Sequence, residues 1–259
     1  MDSHEESAPT TTAIATDLKL ADLRTALSAG WADFVALPAY GLCIALAFVL
    51  SGLAFSYLLF MRGEYVWLIA AAAGFPVVAP FAAVCLYEVS RRRERGLPVN
   101  WGVVLQAVGG RGDEQILSMG VLLFVAFSFW TIVAHTIFSI FVVEAGAGSE
   151  TLEFLATTLG VAMLLVGGIA GALIALVFYT ITVVSLPMLV DREVDFLTAI
   201  ITSLRAFRAN LVILLCWAVI IATSLFVAIV SLFLGLLIAL PVLGHATWHL
   251  YRRVVQPQD

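Results

Sequence analysis

The sequence predicts an all-α, polytopic membrane protein, and three observations carry that prediction. The stretch from Leu211 to Tyr251 has no Asp, Glu, Lys or Arg. It is about twice the ~20 residues that one helix needs to cross a bilayer. The 259-residue chain is 62% hydrophobic and 12% charged, where soluble domains run near 45–50% apolar and about 25% charged. The mean hydropathy is +1.06, and no soluble fold of this length could bury that much apolar surface.

In chain order, residues 1–16 are polar and acidic, with a threonine run, and read as a disordered tail. They lack the basic start and apolar stretch of a secretory signal. Residues 17–253 form a single integral membrane domain, followed by a polar tail at 254–259. From Asp17 to Phe34, apolar residues recur at Leu20, Leu23, Leu27, Trp31 and Phe34, opposite Lys19, Asp22, Arg24 and Ser28. That spacing predicts an amphipathic helix lying in the membrane interface, with Asp17 as its cap. Spans are expected over about 35–60 and 65–89, the second interrupted by Pro76 and Pro80. A second amphipathic piece, Trp101 to Val108, precedes spans over about 116–143 and 155–190. The run at 155–190 is long for one crossing, which predicts tilt or a bend near Gly167, Gly168 or Pro187. A third amphipathic helix covers Asp191 to Asn210, with Phe196, Leu197, Ile200, Ile201, Leu204 and Phe207 on one face. Spans over about 211–230 and 234–251 follow, joined by a tight hairpin near Ser231 to Gly235.

Six crossings put every Lys and Arg except Arg62 on one side. By the positive-inside rule both termini are then cytoplasmic. The three amphipathic helices each precede a pair of crossings, and residues 25–35 align with 202–212. Thr25, Leu27, Ala29, Ala32 and Val35 match Thr202, Leu204, Ala206, Ala209 and Val212. A three-fold parallel repeat of helix plus hairpin is therefore expected, an arrangement that some transporters use.

Few residue types point to chemistry. Cys43, Cys85 and Cys216 are odd in number and lie in apolar runs, so neither a disulfide framework nor a zinc site is indicated. His245 and His249 share one helix face at i, i+4 and, with His135, are the candidate haem or metal ligands. Depth argues against a shared ion. His135 falls beyond the midpoint of an outward crossing and His249 near the opposite surface, well over ~10 Å apart. No metal and no cofactor are therefore expected, with the histidines as hydrogen-bonding or interfacial groups. Gly160, Gly167, Gly168 and Gly171 are candidates for close helix packing. Arg91, Arg92, Arg93 and Arg95 either set topology or bind anionic lipid head groups. No nucleophile elbow, phosphate loop, HExxH or haem-attachment motif occurs, and an enzyme is not expected. Nucleic acid is not an expected partner; the bilayer is, together with another membrane protein or a second copy.

Two stretches carry a resemblance: residues 189–196 (LVDREVDF), running on through Thr198 and Ala199 to Ser203, and residues 240–249 (LPVLGHATWH). They resemble the bacterial predicted integral membrane proteins catalogued as domain of unknown function 2189. The resemblance is expected to cover most of the chain after the tail. It implies a multi-pass protein of the bacterial inner membrane with about six spans, and it implies no activity. On the residues, the leading expectation is a non-enzymatic accessory or assembly protein acting through helix and lipid contacts. The alternatives are a carrier for a small apolar or lipid-like molecule, and a redox component using the histidines.

Overall fold

The protein was analysed as a computed structural model, which describes residues 13–63, 82–109, 115–145 and 153–255. The described residues are helical apart from turns and one isolated bridge. The helices are α1 (Leu20–Ala36), α2 (Pro38–Arg62), α3 (82–94 as described), α4 (Trp101–Gly109), α5 (Gln115–Ala145), α6 (Thr158–Asp191), α7 (Phe196–Ala209), α8 (Leu211–Val230) and α9 (Leu236–Val254). Four of them, α2, α5, α6 and α8, are long and apolar enough to cross a membrane. In those four, only 6% to 28% of the most apolar window is buried within the protein, so these helices offer their sides to lipid. Most of the span expected over 65–89 lies outside the described residues. The span expected over 234–251 corresponds to α9, whose charged-end half carries His245, His249, Arg252 and Arg253 and does not read as an apolar crossing.

The core lies at the arginine-rich end. Every residue from 83 to 90 and from 182 to 190 is buried, and none from 240 to 255 is exposed. Three helix ends, those of α3, α6 and α9, therefore sit inside protein on all sides. The amphipathic helices surround them: α1 packs on α9 and α7 on α6, while Val104 of α4 clusters with Cys85 and Val89 of α3. At 1.5 Å per residue α6 is about 51 Å long, well beyond the ~30 Å hydrocarbon core. Its last ten residues are the part enclosed by protein. It runs as one helix through Gly167, Gly168 and Pro187.

α1 does not lie apart in an interface as expected. It runs antiparallel along α9, and α2 continues the same line. Asp22 meets Arg253, Gly30 abuts Ala246, Gly41 abuts Pro241 and Gly52 abuts Phe233. The buried face of α1 is Leu23, Ala26, Gly30, Asp33 and Phe34, while Leu20 and Trp31 point away from it. In α7 the buried residues are Ala199, Thr202, Ser203 and Ala206, and Leu197 and Ile201 are exposed. In both helices small residues supply much of the buried face, with Leu23 and Phe34 beside them in α1, and part of the apolar stripe faces outward. Close approach of backbones needs small side chains, and lipid accepts the large ones.

The hairpin at 231–235 stands where it was expected. The Ser231 hydroxyl donates to the Ala228 carbonyl (2.9 Å) and accepts from the Gly235 amide (3.2 Å). Leu232 and Phe233 adopt positive φ (55° and 64°), a conformation that ordinarily favours glycine. The Phe233 ring packs where Gly52 leaves room for it.

The two ends of the described chain meet. Residues 13–16, expected in a disordered tail, are held in place. The Ala15 amide donates to the Val254 carbonyl (2.9 Å), Ile14 bridges Val255, and Asn210 Nδ2 donates to the Ala15 carbonyl (2.7 Å). Asp17 does not cap α1. It pairs with Arg253 (2.9 Å), and Asp22 accepts from the Lys19 amide instead (2.7 Å).

Candidate functional site: a buried charge network and an apolar cleft

The charge network is assembled from helix ends that are far apart in sequence. Asp191 closes α6, and its carboxylate accepts from Arg95 (2.8 Å), Arg252 (3.1 Å) and the Tyr251 hydroxyl (2.9 Å). Glu88 of α3 pairs with Arg91 (3.2 Å) and Arg92 (3.0 Å) within its own helix. Glu94 accepts from the Trp248 indole (3.0 Å) and from Arg252 (3.0 Å). Arginines at the ends of α3 and α9 thus share acids of α3 and α6 at one junction. A cavity of about 440 Å³ opens beside it, lined by Glu88, Arg91, Arg95, Gln115 and residues 189–194.

A second polar group lies between α1, α3 and α9. The Ser90 Oγ is 2.6 Å from Asp33 Oδ2 and 2.7 Å from His245 Nδ1. His249 Nε2 is 2.8 Å from the same Asp33 oxygen, and Arg93 pairs with the other Asp33 oxygen. One hydroxyl proton cannot serve both neighbours. The carboxylate only accepts, so Ser90 donates to Asp33 and His245 Nδ1–H donates to Ser90. His245 Nε2 then holds the lone pair, in keeping with a buried atom that has no hydrogen-bond partner among the described residues. Serine, histidine and aspartate meet here, but not as a nucleophilic triad. That chemistry needs the serine to donate to the imidazole, and Ser90 is only 1% exposed.

Burial works to raise the Asp33 pKa, but the hydrogen bonds from His249 and Ser90 outweigh it and hold the carboxyl below its ordinary value of 3.8. A depressed acid contributes stability above the unfolded-state value and loses it as pH falls through the folded one. The expected result is a fall in thermal stability of the detergent-purified protein below about pH 4. Asp33→Asn should flatten that limb, and an unchanged slope in this variant would count against Asp33 as its source.

The structure distributes the sequence candidates unevenly. It brings His245 and His249 together on Asp33 and Ser90, whereas His135 sits exposed on α5. Among the described residues no cluster of three or more His, Cys, Asp or Glu could hold a metal ion. Arg91, Arg92, Arg93 and Arg95 all engage acids of the same chain. Of the glycines, Gly160 abuts Phe154 and Leu155, and Gly171 abuts the Trp130 ring. Beside Gly167 and Gly168 there is open space. Sequence reasoning missed Ser90 and the role of Asp33. For Asp33 a signal existed, since it continues the small-residue stripe of Ala26 and Gly30. For Ser90 there was none.

The third feature is a cleft of about 410 Å³ between α3, α6, α8 and α9. Alanines and leucines form most of its wall, among them Ala83, Ala172, Ala175, Ala218, Ala222, Leu225 and Leu240. Among the described residues no charged side chain lines it, and the polar ones are Tyr87, Tyr179, Thr182 and Thr247.

Apolar helices with lipid-facing sides, closed at one end by a shared charge network, define an integral membrane protein. Residues 68–191, just under half of the chain, match the family model described as Predicted integral membrane protein (DUF2189). The resemblance drawn from the sequence is thereby borne out, over a shorter reach than expected. Of the two stretches that carried it, only Leu189 to Asp191 falls inside the match, and residues 240–249 fall outside. No curated protein and no solved structure matches the chain.

Proposed function

We propose that this protein binds an apolar or lipid-like molecule within the membrane and acts as its carrier. The observation that supports this reading is the apolar cleft between α3, α6, α8 and α9. Its volume of about 410 Å³ falls within the ~300–1,000 Å³ of small-molecule sites. Four helices bound it, and two of them, α6 and α8, have lipid-facing sides through which a ligand can enter from the bilayer. Filling the cleft tests the reading. In Ala222→Trp, bound lipid recovered by extraction and mass spectrometry should fall at least ~10-fold against wild type. Equal lipid content in the two proteins would refute the reading.

The accessory-protein reading stands second, on one observation. Gly167 and Gly168 leave open space on a face of α6 where Leu165, Val166 and Ile169 are exposed. A helix of another membrane protein, or of a second copy, could approach closely there. Affinity purification from native membranes, with wild type and Gly168→Leu, would reveal a partner that the substitution displaces. The redox reading gains no support from the geometry, because among the described residues no group of three or more His, Cys, Asp or Glu could hold a metal ion.

The same proposal includes six crossings in three parallel units, in the bacterial inner membrane, with both termini cytoplasmic. In support, each amphipathic helix packs on the second long helix of the unit before it, with α1 on α9 closing the cycle. The pairing of Ala15 with Val254 keeps the two ends together.

A further inference from the structure

We infer that the molecule held in the cleft is a neutral lipid with a carbonyl oxygen in its head, and that Tyr87 donates the hydrogen bond that holds it. This rests on the carrier reading and names its ligand class.

Three of the four polar side chains in the wall already have acceptors. Tyr179 donates to the Leu214 carbonyl (2.7 Å), Thr182 to the Phe178 carbonyl (2.7 Å) and Thr247 to the Leu243 carbonyl (2.8 Å). Tyr87 lines the cleft and is 3% exposed, and its hydroxyl has no hydrogen-bond partner among the described residues. A hydroxyl donor that opens on an apolar cleft without an acceptor is unfavourable once the cleft is filled, so an occupant that accepts from it is favoured over one that does not. The occupant is also uncharged. Among the described residues no Asp, Glu, Lys, Arg or His lines the cleft, and a carboxylate or phosphate buried there would lack a counter-charge from them.

Position divides the cleft into a head end and a tail end. Tyr87, Thr182 and Thr247 lie on the segments of α3, α6 and α9 that run into the charged junction. Ala172 lies farther back along α6, and Leu225 farther along α8 towards the hairpin. The head of the ligand therefore sits at Tyr87 and its chain runs towards the far end. Ester carbonyls of a diacylglycerol and ring carbonyls of an isoprenoid quinone share this chemistry.

The test uses full-length protein in detergent micelles, wild type and Tyr87→Phe, titrated with four probes and followed by thermal stability. The probes are a diacylglycerol, an isoprenoid quinone, squalene as an acceptor-free hydrocarbon, and a free fatty acid. One of the two carbonyl lipids should stabilise wild type, and which one does so identifies the source. Tyr87→Phe should weaken that lipid about tenfold and leave squalene binding unchanged. Equal affinity of both proteins for the carbonyl lipids, or tightest binding of the fatty acid, would overturn the inference while leaving the cleft a lipid site. If none of the four probes stabilises wild type and Ala222→Trp retains as much native lipid, the carrier reading itself falls. Lipid extracted from wild-type protein gives an independent check should Tyr87→Phe not fold. Neutral carbonyl lipids should be enriched over their membrane abundance, and enrichment of anionic lipids alone would contradict the inference.

Discussion

Gly30→Val is expected to cost about 3 kcal/mol, enough to detach α1 from α9 in a large fraction of molecules. A Cβ at residue 30 would stand 2.5 Å from the Ala246 amide nitrogen and 2.8 Å from its Cα. Those are backbone atoms, which cannot rotate aside, so the helices themselves must separate. Separation would also pull Asp33 away from Ser90 and His249, since Asp33 lies one turn along the same face. The apparent melting temperature in detergent should drop by about 5–10 °C. Gly168→Ala is the matched control. It has open space beside it, and helix propensity favours alanine by up to ~1 kcal/mol. It should leave stability unchanged or raise it. Equal effects at residues 30 and 168 would mean that α1 does not pack on α9 as described.

Asp191→Asn is expected to be at least as damaging. The carboxylate is 4% exposed and serves Arg95, Arg252 and the Tyr251 hydroxyl, with Arg91 at 3.8 Å. The asparagine keeps the shape and removes the charge, leaving several guanidinium groups crowded without that counter-ion. Removing one partner of a buried pair costs about 3–5 kcal/mol. Because Asp191 joins α3, α6 and α9, the loss should be global, read as a fall in the monodisperse fraction on size-exclusion chromatography. Arg95→Gln provides the contrast. Arg95 is 45% exposed, so its pair is worth at most ~1 kcal/mol. A Gln at residue 95 that proved as harmful as an Asn at residue 191 would contradict this account.

The helices were legible because apolar runs and their breaks dominate the sequence. α5, α6 and α8 begin and end within a few residues of the hydropathy boundaries, and the hairpin at 231–235 falls where the apolar stretch had to turn. The amphipathic helices were legible as helices, but the residues that pack each one on its neighbour were not. In water a large apolar stripe marks the core. In a bilayer lipid can receive part of it, and the face that includes Ala26, Gly30 and Asp33, or Ala199, Ser203 and Ala206, turns inward. Of the stripe read from the sequence, Leu20 and Trp31 face outward, Leu23 and Phe34 are buried, and Leu27 packs against the core.

The sites follow the same division. Composition and the arrangement of arginines alone establish a helical membrane protein whose charge gathers at one end, because a charged group in hydrocarbon is too unfavourable to be common. That Arg91, Asp191 and Tyr251 share one junction, that Ser90 links Asp33 to His245, and that Tyr87 faces an apolar cleft, only tertiary structure decided. Hydropathy is a property of each segment by itself. Contacts between residues 57 to 155 positions apart depend on which helices pack together, and lipid accepts many apolar faces equally well, so no single segment encodes the choice.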